Sequence, residues 1–345
     1  MYLEDNILMV NQAMSGKYIV GAYATSPNLF TWDDHSESIY FNGLKKIKLI
    51  RGLELPFWGE SLHAFDDEWF LSNLEPKWEN VLTCVPGTMK SLEADPFFGL
   101  ASVNEESRNK AIRFYRRAYE CINNLKNKFG NNSVIAIFIT SSPYVNTKYN
   151  NAEVDSFSLS LNELASWGWG NTRVIVEHCD AFNKKNTNPK KGFLSIDEEI
   201  ETLRFINNKW NTDFGIVINW GRSVIEYKDI SGPVEHVKSL NSHNLLAGIM
   251  FSGTTDNNNN LYGAWSDKHM PPATIGNYKY FESESLMTFE NVKKLLKICD
   301  LDTLDFIGVK LLAMPKKSSI EKRISINEDS LALLKQAINE SKNYD

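Results

Sequence analysis

Residues 173–181 read RVIVEHCDA, and the fold can be worked out from this short stretch. Three β-branched apolar residues, Val174 to Val176, are followed directly by Glu177, His178 and further polar residues. An uninterrupted apolar run of this length is typical of a strand that is buried on both faces, as in parallel sheets. We therefore predict a parallel strand here, with polar side chains at its carboxyl end.

Seven further runs of the same kind lie on either side. They are YIVGAYA at 18–24, IKLIRGLELPF at 47–57, NVLTCVPGT at 80–88, SVIAIFITSS at 133–142, GIVINWG at 215–221, LLAGIMFSGT at 245–254 and FIGVKLLAM at 306–314. Stretches with helical periodicity separate many of them, and the clearest are 106–130, 195–210, 288–301 and 327–342. The second of these begins with a Ser-x-x-Glu capping box formed by Ser195 and Glu198.

Eight strands alternating with helices are the number at which a parallel sheet closes on itself. The sequence therefore predicts an α/β protein, a (β/α)8 TIM barrel that forms a single domain over residues 1–345. An open, doubly wound sheet is the alternative. It predicts a glycine-rich phosphate loop after an early strand, and neither the GxGxxG nor the Walker A pattern occurs in the chain.

Composition narrows the classes of function. The formal net charge of -6 lacks the basic excess of nucleic-acid binders, and we expect the lysines at 184, 185, 190 and 191 to be solvated loop charges. Four cysteines without a CxxC pair favour a reduced, cytoplasmic location. We recognise no signal peptide and no apolar run long enough for a membrane span, so neither nucleic acid nor membrane is an expected partner.

Two carboxylates are the sharpest candidates for chemistry. The active site of a (β/α)8 barrel lies at the carboxyl ends of the strands, and there Glu54 and Glu177 each interrupt an apolar run. A carboxylate in such a run is costly unless it is paired, protonated or bound to a cation. We predict that both are catalytic; the alternative is a structural ion pair with Arg51, Arg222 or Lys310.

Strand parity sorts the neighbouring candidates. His178 follows Glu177 directly, so it faces the helices if Glu177 faces the barrel mouth. Lys310 interrupts the apolar run FIGVKLL and is a third catalytic candidate. It could neutralise an anion, pair with Glu54 or Glu177, or form an imine if desolvation lowers its pKa.

The remaining strand ends are polar and aromatic, and we predict that they bind substrate. These candidates are Asn219, Trp220, Arg222, Trp58 and Ser252. Aromatic residues make up 12% of the chain, which suits stacking against a sugar ring. Asp267 and His269 share a face of an extended segment and could reach one metal ion or one substrate hydroxyl. His63 is a weaker candidate.

These residues resemble those of the xylose-isomerase-like group of TIM barrels, which includes sugar isomerases, epimerases and barrel endonucleases. The likeness lies in Glu177, in Asp267-x-His269 and in the polar sixth strand end at Asn219. The resemblance implies proton transfer between adjacent sugar carbons and a divalent metal (Mn²⁺, Mg²⁺ or Zn²⁺) held by Glu177, Asp267 and His269. Asn219 and Lys310 depart from the pattern, because each stands where the group usually carries a metal ligand.

Several functions remain open at this point. The first is a sugar or sugar-phosphate isomerase or epimerase, an enzyme that uses Glu177 and Glu54 with or without a metal. A glycoside hydrolase would use the same two carboxylates, whereas a non-catalytic carbohydrate-binding barrel would use neither. A lyase that forms an imine through Lys310 is a weaker alternative. All of these take a small-molecule carbohydrate or a related compound, and association into a homo-oligomer stays open.

Overall fold

A computed structural model describes residues 18–29, 31–145, 151–273 and 278–342. Eight strands follow one another along the chain. They are β1 (Tyr18–Val20), β2 (Ile50–Pro56), β3 (Asn80–Thr83), β4 (Val134–Ile139), β5 (Arg173–His178), β6 (Gly215–Asn219), β7 (Leu246–Phe251) and β8 (Phe306–Val309). Each strand pairs in parallel with the next, and β1 also pairs with β8, so the sheet is a closed barrel. The predicted (β/α)8 barrel is confirmed, and each strand falls within one of the eight apolar runs.

Helices occupy the connections between the strands. They are α1 (Ala22–Thr25), α2 (Asp34–Leu44), α3 (Asp67–Asn73), α4 (Val85–Ala94), α5 (Glu105–Phe129), α6 (Val154–Ala165), α7 (Ile196–Trp210), α8 (Trp220–Tyr227), α9 (Gly232–Asn241), α10 (Phe289–Leu296) and α11 (Ile320–Lys342). The capping box of Ser195 and Glu198 starts α7 as the sequence predicts. Within the described ranges, no helix combines the length and apolar character needed to cross a bilayer.

Strand alternation divides the core into two layers. A cluster of buried side chains fills the barrel, and its members include Ile19, Val81, Phe138, Ile175 and Phe306. Alternate residues, such as Val174 and Val176 of β5, pack instead in the layer between the strands and the helices. Because side chains alternate along a strand, Glu177 shares the inward face of Ile175 whereas His178 shares the outward face of Val176.

Candidate active site

A cavity of about 380 Å³ opens at the carboxyl ends of the strands. It lies towards β1 and β2 and is bounded on another side by the segment between β7 and α10. Glu54, Asp267 and His269 line it, and much of the remaining wall is aromatic or aliphatic. The aromatic members are Tyr23, Phe41, Trp58, Phe65 and Phe70, with the His63 ring beside them.

Glu54 is held at the cavity wall by one oxygen and left free at the other. Its Oε1 accepts a hydrogen bond of 2.7 Å from Nζ of Lys310, the residue that follows β8. Its Oε2 is buried and has no hydrogen-bond partner within the described chain. Burial raises the pKa of Glu54 and outweighs the opposing charge of Lys310. The side chain is therefore a buried carboxylate with one oxygen available to a ligand.

Gly21 makes room for this ion pair. A Cβ atom at this position would lie 2.8 Å from Cγ of Lys310 and 3.0 Å from Oε2 of Glu54. Both distances are shorter than ordinary van der Waals contact. The glycine therefore allows β1 to approach the pair closely.

Lys310 is almost completely buried and stays charged. Burial opposes its charge, but the neighbouring groups, led by the Glu54 carboxylate and including Glu177, together outweigh this effect and raise the pKa of Lys310. Nζ also lies 3.8 Å from Oε1 of Glu177, so one ammonium group serves two carboxylates. The ring of Tyr23 lies 5.1 Å from Nζ, and burial raises the pKa of the Tyr23 phenol, which keeps its proton.

Glu177 is fully engaged by the protein. Its Oε1 accepts a short hydrogen bond from Nη1 of Arg222, and its Oε2 accepts one of 3.0 Å from Oγ1 of Thr83 at the end of β3. Burial opposes ionisation here, but the charges of Lys310 and Arg222 prevail and lower the pKa of Glu177. The carboxylate is therefore ionised, and each of its two oxygens accepts a hydrogen bond from within the protein.

Asp267 forms the next link of the same network. Its Oδ2 accepts hydrogen bonds from Nε of Arg222 at 3.0 Å and from Nζ of Lys191 at 2.6 Å. These two cations overcome burial and hold the pKa of Asp267 well below its usual range. Lys191 is 6% exposed, so the expectation that it is a solvated loop charge is wrong. The loop after β5 folds back over the barrel mouth and carries Lys191 into it.

His269 lies beside Asp267 and lines the cavity. Its Nδ1 lies 3.3 Å from Oδ1 of Asp267 and 3.3 Å from Oγ of Ser252. Burial lowers the pKa of His269 to about 3 despite the adjacent Asp267, so the imidazole is neutral near pH 7. Its φ of 50° is unusual for a residue other than glycine and is the kind of backbone strain that clusters at functional sites.

The predicted substrate-binding residues divide into two groups. Trp58 lines the cavity, and its buried indole Nε1 has no hydrogen-bond partner within the described chain. Asn219 instead caps α8, because its Oδ1 accepts from the Arg222 backbone N–H and from Oγ of Ser252. Trp220 is buried, and Arg222 bridges two carboxylates. For all of these residues, substrate binding stays a prediction.

The donor set at the barrel mouth does not fit a divalent metal. Asp267 and His269 touch, but Glu177 is joined to Asp267 only through the Arg222 guanidinium. One oxygen of each carboxylate, Oε1 of Glu177 and Oδ2 of Asp267, already contacts the cationic groups of Lys310, Arg222 and Lys191. An added divalent charge among three such groups would be strongly repelled at the low effective dielectric of this site. The predicted metal set of Glu177, Asp267 and His269 therefore gains no support from the geometry.

The barrel is similar to those of solved structures, among them xylose-isomerase-like and sugar-epimerase TIM barrels. A putative xylose isomerase from Rhodospirillum rubrum aligns with a TM-score of 0.59 at 10% identity, over 93% of this chain and 98% of its own. The IolI protein with a bound zinc atom aligns at 0.54 and 10% identity, over 92% and 98%. The 3-keto-D-glucoside 4-epimerase YcjR from E. coli aligns at 0.51 and 13% identity, over 87% and 95%.

The chain belongs to the family described as a domain of unknown function, DUF4862, whose profile matches residues 19–326. The uncharacterized protein STM3670 of Salmonella typhimurium strain LT2 is 35% identical over 322 residues, which cover 93% of this chain and 97% of that protein. The structural likenesses, at 10 to 13% identity, show a shared fold.

Proposed function

We propose that this protein is a sugar isomerase or epimerase that acts on an uncharged carbohydrate and moves a proton next to a carbonyl group. The observation that carries the proposal is that Glu54 lines the cavity with a raised pKa, while its buried Oε2 has no hydrogen-bond partner within the described chain. A general base works best when its pKa approaches the working pH, and burial moves Glu54 in that direction.

The site offers separate groups for each proton. Glu54 takes the proton from the carbon beside the carbonyl, while Lys310 fixes its other oxygen. The Tyr23 phenol, which keeps its proton, donates a hydrogen bond to the carbonyl oxygen as negative charge develops there. Because ionised Asp267 faces Nδ1 of His269, the neutral imidazole carries its proton on Nδ1 and presents Nε2 as an acceptor for a hydroxyl proton.

The two outcomes differ in where the proton returns. Delivery to the adjacent carbon gives aldose–ketose isomerisation, and delivery to the same carbon from its other face gives epimerisation. Glu177 and Arg222 act as positioning residues, since their hydrogen bonds are used within the protein. The IolI structure contains zinc, but the step proposed for this chain uses only its own side chains.

The cavity wall favours a neutral substrate. Its described charged residues are three acidic side chains, Glu37, Glu54 and Asp267, and one cation, Lys268. A phosphate group is normally bound by several cationic groups, and Lys268 is the one lysine or arginine among the described residues of this wall. Trp58 and Phe65 provide flat apolar faces of the kind that stack against a sugar ring. Among sugars, the site therefore suits an unphosphorylated one.

The other functions left open by the sequence fit the geometry less well. Oε1 of Glu54 and Oε1 of Glu177 lie at most 6.5 Å apart, a spacing that glycoside hydrolases use, but Lys310 lies between them where the glycosidic bond would be. An imine-forming lysine needs a lowered pKa, whereas the pKa of Lys310 is raised. A non-catalytic sugar-binding barrel is distinguished by experiment.

The test is solvent exchange. The purified protein, treated with EDTA, is incubated in D2O with a panel of unphosphorylated aldoses, ketoses and 3-keto sugars, and NMR follows deuterium entry beside the carbonyl. We expect exchange with at least one sugar and a rate about 10²- to 10⁴-fold lower for Glu54→Gln. Glu79→Gln, at the amino-terminal end of the barrel, is the matched control and should keep the rate.

Two results would count against the proposal. Exchange that survives Glu54→Gln unchanged excludes Glu54 as the base. Binding of sugars without any exchange, seen by calorimetry with the same panel, supports the carbohydrate-binding barrel instead.

A further inference from the structure

A second cluster of titratable side chains lies behind β5, on the side that faces the helices. His178 points outward as its parity predicts and lies between Glu199 of α7 and Glu226 of α8, while His236 of α9 completes the group. All four side chains are buried. Strand parity places His178 away from the barrel mouth, and nothing in the proposed proton transfer uses this cluster.

Both imidazoles have the same arrangement. Nδ1 of His178 is held by Oε2 of Glu199 at 2.7 Å, and Nδ1 of His236 is held by Oγ of Ser223 at 2.9 Å. Each ring then turns Nε2 towards the Glu226 carboxylate, at 3.0 Å for His178 and 3.4 Å for His236. Metal-binding histidines typically have one nitrogen fixed by an outer partner in this way while the other binds the ion.

One nitrogen of the cluster lacks a hydrogen bond. Nε2 of His236 is buried, and its approach to Glu226 does not have hydrogen-bond geometry. A buried polar atom without a partner is unusual and calls for an explanation. A bound cation at the point towards which both Nε2 atoms turn would provide the missing partner.

The charges of the cluster point to the same conclusion. Within the described ranges, neither Glu199 nor Glu226 forms an ion pair with a lysine or arginine; their charged contacts are the two histidines. Even a protonated His178 leaves one buried negative charge unbalanced. A divalent cation with two neutral imidazoles balances both glutamates, which removes the cost of an unpaired buried charge.

The distances fit a small tetrahedral ion. One ligand atom from each of His178, Glu226 and His236 lies within 4.8 Å of the others, and this is the one such group of three among the described residues. Zinc–nitrogen and zinc–oxygen bonds of about 2.0–2.1 Å place tetrahedral ligand atoms roughly 3.3 Å apart. Nε2 of His178 lies 3.0 Å from Oε2 of Glu226 and Nε2 of His236 lies 3.4 Å from Oε1, so an ion between the two rings would meet both oxygens of this carboxylate.

We propose that His178, His236 and Glu226 bind a zinc ion, with Glu199 and Ser223 orienting the two imidazoles. Two imidazoles and one carboxylate are ligands that zinc commonly takes in proteins. The ligands are buried, so we expect a structural ion with the second Glu226 oxygen as its fourth ligand, and this ion joins the end of β5 to α8 and α9. This site is separate from the barrel mouth, where the donors do not fit a metal.

The experiment measures metal rather than activity. Untagged full-length protein is unfolded with EDTA, refolded with a small excess of zinc and dialysed, and its metal content is then determined by mass spectrometry. We expect roughly one tightly held zinc per chain. His236→Ala and Glu226→Gln should lose it, whereas Glu199→Gln should weaken zinc affinity by about 10- to 100-fold. Glu177→Gln and Asp267→Asn, the matched controls in the mouth, should keep it.

A spectrum of the wild-type protein keeps the test decisive if a variant fails to fold. Cobalt(II) in the site should give the intense visible absorption of a four-coordinate ion, and zinc X-ray absorption should show imidazole scattering. Wild-type protein that holds no zinc after refolding overturns the proposal. Zinc that survives His236→Ala but is lost in Asp267→Asn also overturns it, because the ion would then lie in the mouth.

Discussion

Replacing Lys310 by methionine tests the charge network at the barrel mouth most directly. The ammonium lies 2.7 Å from Glu54 and 3.8 Å from Glu177, and it is 2% exposed. Methionine keeps an unbranched apolar stem that is one heavy atom shorter, and it removes the charge and the donors. Two buried carboxylates, whose nearer oxygens lie at most 6.5 Å apart, then face each other without the cation between them.

The magnitude follows from that separation. At an effective dielectric of about 20, two unit charges 6.5 Å apart repel by roughly 2.6 kcal/mol. Loss of one partner of a buried ion pair typically costs about 3–5 kcal/mol. We therefore expect the free energy of unfolding to fall by about 3–5 kcal/mol near neutral pH. Urea denaturation followed by circular dichroism measures this change, and Lys48→Met, at an exposed position, should change it by less than about 0.5 kcal/mol.

Two further measurements separate this cause from general damage to the core. The deficit should shrink between about pH 8 and pH 5, because the raised pKa of Glu54 lets that carboxyl take up a proton and removes the repulsion. The double variant Lys310→Met with Glu54→Gln should recover most of the lost stability. A single variant as stable as wild type, or a deficit that is the same at both pH values, would refute the reasoning.

Three more predictions concern activity and packing. The pKa of Glu54 is raised above its ordinary 4.5, and the base must be ionised to act. A pH–rate profile should therefore show the exchange rate falling on the acid side with a midpoint above 4.5. A midpoint at or below 4.5 contradicts this prediction. His269 has a pKa of about 3, so it should add no second step to that profile between about pH 5 and 8, and His269→Gln should lower the rate by about 10²-fold without shifting the midpoint. Gly21→Ala places a Cβ 2.8 Å from Cγ of Lys310 and should lower the free energy of unfolding by about 1–3 kcal/mol, measured by urea denaturation. Gly130→Ala is the comparison, because its Cβ has open space around it and meets only the strain of its positive φ. Equal stability of Gly21→Ala and wild type contradicts the close contact.

The barrel itself could be predicted because it depends on local patterns. Each strand lies in a continuous apolar run, and parity along RVIVEHC correctly turns Glu177 inward and His178 outward. The sequence allows several roles for Lys310, including a pair with Glu54 or Glu177, and the structure shows the closer contact with Glu54. The barrel makes this possible because β2 and β8 both pair with β1. Whether the pair is also catalytic depends on the cavity, which no sequence pattern indicates.

The parts that were missed depend on tertiary packing. Lys191 looks like a surface charge in a lysine-rich loop, and its burial arises because that loop folds back onto Asp267. The zinc ligands come from β5, α8 and α9, and His236 meets His178 only when the two helices pack behind the strand. A helical Glu226 or His236 alone carries no signal. The aromatic cavity also lies towards β1 and β2, whereas the strand-end candidates spread over the whole barrel.

The balance of charges at the barrel mouth distinguishes Glu54, the proposed base, from Glu177. Lys310, Arg222 and Lys191 contribute three positive charges, and Glu177, Asp267 and Asp180 together supply three negative ones. Glu54 is then the carboxylate of this network whose charge is not fully balanced, because Lys310 also contacts Glu177. Burial raises the pKa of both carboxyls, and the unequal division of cationic charge decides the outcome, so that the pKa of Glu54 stays raised whereas that of Glu177 is lowered. Separation of the pKa values of two neighbouring carboxylates is how a site gives one the role of base and the other that of a fixed anion.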